Sequence, residues 1–127
     1  MATPGRVTVS INLRWVLNNT SLQGTATEVN DQIGEAAIEN VQFIGTTSEA
    51  VDFGDVSDPG WLLFKNFDQV GGTLYVGTND PVTASNATVI LEPGKSTYIP
   101  ASPGTSTQWF AVATAADTKM LVIAVQR

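Results

Sequence analysis

From Val7 to Leu17 the odd positions are all apolar: Val7, Val9, Ile11, Leu13, Trp15 and Leu17. Thr8, Ser10, Asn12 and Arg14 stand between them. Period two over this length places one set of side chains on a single face of an extended strand, whereas a helix would scatter them around its surface. The sequence therefore starts with a strand that has one buried face and one face that is wet or meets a partner. Asn18-Asn19-Thr20-Ser21 then breaks the run with turn-forming residues.

The second half repeats the message in shorter pieces. GWLLFKNF, TLYVGT, ATVILEPG, KSTYIP, QWFAVAT and KMLVIAVQR each read as a strand. Gly71-Gly72, Asn79-Asp80-Pro81, Pro93-Gly94, Pro103-Gly104 and Ala116-Asp117 separate them. Turn signals at such short, even spacing indicate a sandwich or barrel. WLLF and LVIAV are apolar on both faces, so they belong at the centre of a sheet or under a partner. Between the halves, Thr25 to Val29 reads as a short strand and Asp31 to Asn40 as one helical turn weakened by Gly34. Val41, Phe43 and Ile44, and then Ala50 to Phe53, return to strand. The expected fold is all-β: a single antiparallel β-sandwich, jelly-roll-like, of eight or nine strands. One domain spans residues 1–127, with Met1 to Gly5 as a flexible arm.

Composition supports strands over exposed helices. Charged residues make up only 14% of the chain, and Thr and other uncharged polar residues take their place. The net charge is −6, with no His and no Cys. A basic stripe for nucleic acid is missing, thiolate metal sites and disulfides are ruled out, and the usual nucleophile–base pairs are unavailable. No apolar run reaches the ~20 residues of a membrane helix, and MATPGRVTVS lacks the apolar core of a signal peptide. The sequons at Asn18, Asn19 and Asn86 are read as chance in a chain rich in Asn and Thr.

Four groups of residues invite a chemical reading. Gly94-Lys95-Ser96 ends like a phosphate loop, but Val89 stands where such a loop needs its first Gly, and STYIP follows as strand rather than helix. Pro93-Gly94 instead suits a type II turn joining two strands as a hairpin. Asp52, Asp55 and Asp58 lie three apart with no closing bidentate Glu, which departs from a calcium loop and indicates a solvated acidic loop. Glu28, Asp31, Glu35 and Glu39 supply carboxylates, but acid–base work needs two of them facing across a cleft. Trp15, Trp61, Tyr75, Tyr98, Trp109 and Phe110 could line a sugar platform; as large aromatics they are expected mainly in the core. No catalytic, cofactor or metal residue is assigned, no partner-binding residue is named, and the chain is not expected to be an enzyme.

From Ser48 to Arg127, DFGDVSDPGWLLFKNFD, TLYVGT, VILEPGKSTYIP, WFAVATAAD and KMLVIAV follow one another. This succession of strands and turns resembles small β-sandwich virion proteins of tailed bacteriophages, the capsid decoration or cement proteins. The resemblance implies a compact β-domain that binds the outer capsid surface and stabilises contacts between major capsid proteins without a cofactor. The expected partners are the major capsid protein and further copies of the chain, as a trimer, with no direct nucleic acid and no membrane contact. The expected location is the virion, on the capsid exterior. The alternatives are another phage structural role, in the tail, the baseplate or a head fibre, and a carbohydrate-binding module.

Overall fold

The computed structural model describes residues 6–31, 37–57, 59–68, 71–100 and 108–126. Contacts within the chain divide it into two units, Met1–Glu35 and Ala36–Arg127.

The first unit holds a two-stranded ribbon. β1 (Arg6–Leu17) pairs antiparallel with β2 (Thr20–Asp31), in unbroken register from Arg6↔Asp31 to Leu17↔Thr20. The reversal is a two-residue turn, Asn18-Asn19, with φ of 53° at Asn18. Such turns demand left-handed backbone that matches the twist of the strands, and Asn tolerates it better than most residues. The alternation of β1 was expected to bury one face. In the structure that face is open: Leu13 is 73% and Trp15 46% exposed. A two-stranded ribbon has no second layer of its own to cover a face.

The second unit is a sandwich, with all strand pairs antiparallel. Its strands are β3 (Ala37–Ile44), β4 (Glu49–Ala50), β5 (Pro59–Asn66), β6 (Leu74–Gly77), β7 (Val89–Leu91), β8 (Ser96–Pro100), β9 (Phe110–Ala113) and β10 (Thr118–Gln126). One sheet has the order β3-β10-β5-β8 and the other β4-β9-β6-β7. Ile44, Leu62, Phe64, Met120, Val122 and Ala124 from the first sheet and Leu74, Val76, Leu91, Ala111 and Ala113 from the second share one buried core. Trp109 joins them, its ring centroid 5.7 Å from that of Phe64.

Among the described residues the sandwich has eight strands, within the eight or nine expected, and the ribbon holds two more in a sheet of their own. Residues Ala37 to Asn40 belong to β3, not to a helical turn. Here the apolar in-facing positions Ile38 and Ile44 and pairing with β10 override a local pattern that had no strand signal of its own. The strand expected over Ala50 to Phe53 is only Glu49–Ala50, after which the chain turns. The strands apolar on both faces, β5 and β10, are the central ones of their sheet. Proline sits where a ladder tolerates a missing donor: Pro59 opens β5, and Pro100 closes the edge strand β8.

One buried polar side chain ties the sheets together. Asn66, at the end of β5, is fully buried. Its Nδ2 donates to the carbonyls of Gly72 (2.8 Å) and Leu91 (3.0 Å), and its Oδ1 accepts from the Asp68 amide (3.2 Å). Its backbone is held too: the Asn66 N–H donates to the Lys95 carbonyl, and the Gly94 N–H donates to the Asn66 carbonyl. Asn66 thus fastens the end of β5 to the corner that follows β7.

Candidate interaction surfaces

Pro93-Gly94 forms the expected type II turn: the Lys95 N–H donates to the Glu92 carbonyl at 3.0 Å and Gly94 has φ of 81°. The strands it joins are not a hairpin. β7 lies in one sheet and β8 in the other, so the turn is a corner that carries the chain across the sandwich. Gly94-Lys95-Ser96 is followed by strand β8, with no helix N-terminus to face a phosphate.

In the acidic loop, Asp52 Oδ1 accepts from the Gly54 N–H at 2.8 Å, closing a local turn. The Gln42 side chain clamps the same loop, donating to the Ala50 carbonyl and accepting from the Asp52 N–H, each at 3.0 Å. Asp52 and Asp55 are exposed; Asp58 lies outside the described residues. Among the described residues no three His, Cys, Asp or Glu side chains converge as metal ligands. The loop borders an open depression of about 570 Å³, lined by Val51, Phe53, Val56, Pro59 and Gln108 among others, with Asp52 the one titratable residue among the described lining residues. Among the described lining residues no second carboxylate faces Asp52, whose Oδ1 is engaged in the turn. Of the other carboxylates considered, the side chains of Glu28 and Asp31, and all of Glu35, lie outside the described residues; Glu39 is exposed on β3.

The aromatic set does not share one environment. Trp109 is in the core as expected. Trp15 is not: it stands on the open face of the ribbon. Trp61 and Tyr98 are half-buried on the outward side of β5 and β8, and Tyr75 and Phe110 are half-buried on the outward side of β6 and β9. They are split between sheets because Trp61 and Tyr98 alternate with the core residues Leu62 and Ile99, while Tyr75 and Phe110 alternate with Leu74, Val76 and Ala111.

Two apolar surfaces emerge from the strand registers. On the outward side of β3-β10-β5-β8, Val41 and Leu121 lie side by side in a row that continues to Lys65, and the half-buried Ile123, Leu63 and Tyr98 line the next, beside Glu39. Val125 and Trp61 continue the surface beside Pro100. At the opposite end Phe43 pairs with Lys119, and Phe67 sits under the Lys65 ammonium, 5.5 Å from ring centroid. A one-layer water-facing sheet surface normally carries polar residues at these positions. The second surface is the ribbon face, where Ile11, Leu13, Trp15 and Leu17 on β1 oppose Ala26, Gly24, Leu22 and Thr20 on β2. The period-two pattern could find the ribbon face. The outer sheet face was readable only as strands apolar on both sides, without the register that lines them up.

Comparison of the chain with protein-family models, with curated proteins and with solved structures found no match.

Proposed function

We propose that this chain is a structural virion protein of the capsid decoration or cement type, acting by binding rather than by catalysis. Its outer sheet face docks on the outer capsid surface and stabilises contacts between major capsid proteins, with the chain present as a homo-oligomer. The observation that carries this reading is the apolar outward side of β3-β10-β5-β8, centred on Leu63, Leu121 and Ile123. Contiguous apolar surface of this kind marks interaction sites on soluble domains. The strand-and-turn pattern from Ser48 to Arg127, with its resemblance to phage virion proteins, is the second support.

The jelly-roll reading of the sandwich is supported by the strand orders. β3, the first strand of the unit, lies beside β10, its last, and the chain passes between sheets at β3–β4, β4–β5, β5–β6, β7–β8, β8–β9 and β9–β10. Such wrapping of one sheet over the other is the plan of an eight-stranded jelly roll.

The test is co-sedimentation of the full chain with purified immature and expanded capsids, followed by electron cryo-microscopy. The expected result is saturable binding at fixed stoichiometry, with density on the outer shell, and its loss in the double variant Leu63→Asp, Ile123→Asp. Failure to bind either capsid form overturns the decoration role. Density confined to the tail or a fibre moves the protein to that part of the virion. A glycan that shifts Trp emission through Trp61 would instead support carbohydrate binding.

A further inference from the structure

We propose that the ribbon β1–β2 is a self-association element whose occupant is the same face of a second copy. This deepens the oligomeric part of the reading above and stands without the capsid. Three observations carry it.

The first is shape. On the open face the bulk lies mainly on β1: Ile11 and Leu13 face the small Ala26 and Gly24 across the ladder, while Trp15 faces Leu22. Leu13 is the most prominent side chain at 73% exposure, and a Cβ built on Gly24, directly opposite, meets nothing within 4 Å. A ridge therefore runs beside a groove. A two-fold axis lying between the two faces and parallel to the strands sets the ridge of each copy into the groove of the other, with Leu13 over the partner copy's Gly24 in both directions. Reciprocity of this kind defines an isologous contact.

The second is area. Strands of this length at ~3.3 Å per residue, in a ribbon about 10 Å wide, give a face of about 400 Å² in plan. Corrugation by side chains raises the accessible area, so two copies bury on the order of 1,000 Å², the lower bound for a specific interface.

The third is charge. Along the whole face, from Val7 to Leu17 and from Thr20 to Asn30 in alternation, the one charged position is Glu28, in register with Val9 away from the Leu13–Gly24 pair. Residues 6–31 hold two Arg against one Glu and one Asp and are net neutral. Residues 37–127 hold four basic against nine acidic side chains, a net −5. Like charge opposes contact between those parts of two copies, so the neutral ribbon is where two copies meet with least repulsion.

The experiment is sedimentation velocity of the full chain from about 1 to about 100 µM, the range in which an interface of this size dissociates. Leu13→Asp and Gly24→Glu are run beside it. The side chain at 13 is exposed and the space at 24 is open, so each variant keeps the near-UV circular dichroism of the sandwich, where Trp109 is packed. The expected result is a concentration-dependent shift above monomer mass for the unmodified chain and at least about tenfold weaker association in both variants. A monomer throughout the range, or variants that associate like the unmodified chain, overturns the proposal. If the chain is monomeric and the variants lose capsid binding, the ribbon's occupant is the shell protein, which overturns self-association and leaves the decoration role standing. If the chain associates as expected and binds no capsid, the decoration role falls and this inference stands.

Discussion

Asn66 spends every side-chain hydrogen-bonding group it uses on backbone: two carbonyls and one amide. Removing it leaves buried acceptors unmatched, which is more damaging than losing the bonds themselves. Asn66→Ala is expected to lower stability by about 2–4 kcal/mol, read as a shift of the urea midpoint. Asn66→Asp keeps the shape but points a carboxylate at two carbonyls, and should be no milder. A loss below about 1 kcal/mol in both would show that water takes over the role. Two glycines separate steric from conformational effects. At Gly72 a Cβ would lie 2.7 Å from the Ala115 nitrogen and from Thr118 Oγ1, so Gly72→Ala must push the β9–β10 corner and costs about 1–3 kcal/mol. At Gly94 the space is open but φ is 81°, so Gly94→Ala costs about 1 kcal/mol from backbone alone. The reverse order in denaturation would contradict the close approach at Gly72. The Pro93-Gly94 turn was legible because its signal is local. Its role as a corner between sheets was not, since that depends on which distant strands β7 and β8 find.

At the scale of elements, neighbouring residues on one strand have opposite duties. Leu62 is buried between the sheets and Leu63 faces outward. Leu62→Ala is expected to cost about 2–5 kcal/mol through the cavity it leaves, and Leu63→Ala about 1 kcal/mol while weakening partner binding. Equal losses in urea would mean that the outer face is as tightly covered as the core. The ribbon offers a second comparison. Its hydrogen-bonded pairs lack a packed layer, so amide exchange over residues 6–31 should slow as protein concentration rises, while exchange in β5 and β10 should not. Exchange of the ribbon that ignores concentration would speak against its self-packing. The sequence displayed β1 plainly because its apolar residues alternate without interruption. β2 reads TSLQGTATEVND, small and polar, and is a strand because β1 supplies its partner along the whole length. That alternation in β1 names a face but not what covers it, which is why Trp15 was expected in a core and stands open instead. WLLF and LVIAV, by contrast, read as central or partner-covered strands, and β5 and β10 are indeed central in their sheet.

For the molecule as a whole, charge is unevenly distributed along the chain, with a neutral ribbon sequence and a net −5 over residues 37–127. If copies meet through the ribbon, the remaining repulsion acts over distances near the ~10 Å screening length at 0.1 M salt. Association should therefore tighten as salt rises from about 0.05 to about 0.5 M, the opposite of a contact held by ion pairs. Sedimentation at both salt concentrations checks this, and weakening with salt would point to a charged interface.

The pairing of β3 with β10 has a further consequence for how the sandwich comes into being. Ala37 finds Val125 although nearly the entire body sequence lies between them, and β5 is also waiting for β10 on its other side. A sheet whose central member comes later in the chain than all its neighbours cannot zip up from local hairpins. Such high contact order puts folding in the slower, millisecond-to-second class. Until Thr118 to Gln126 has been synthesised, β3 and β5 present bare hydrogen-bonding edges, and a chain cut short before Thr118 would be left with two adhesive strands and no lid for either.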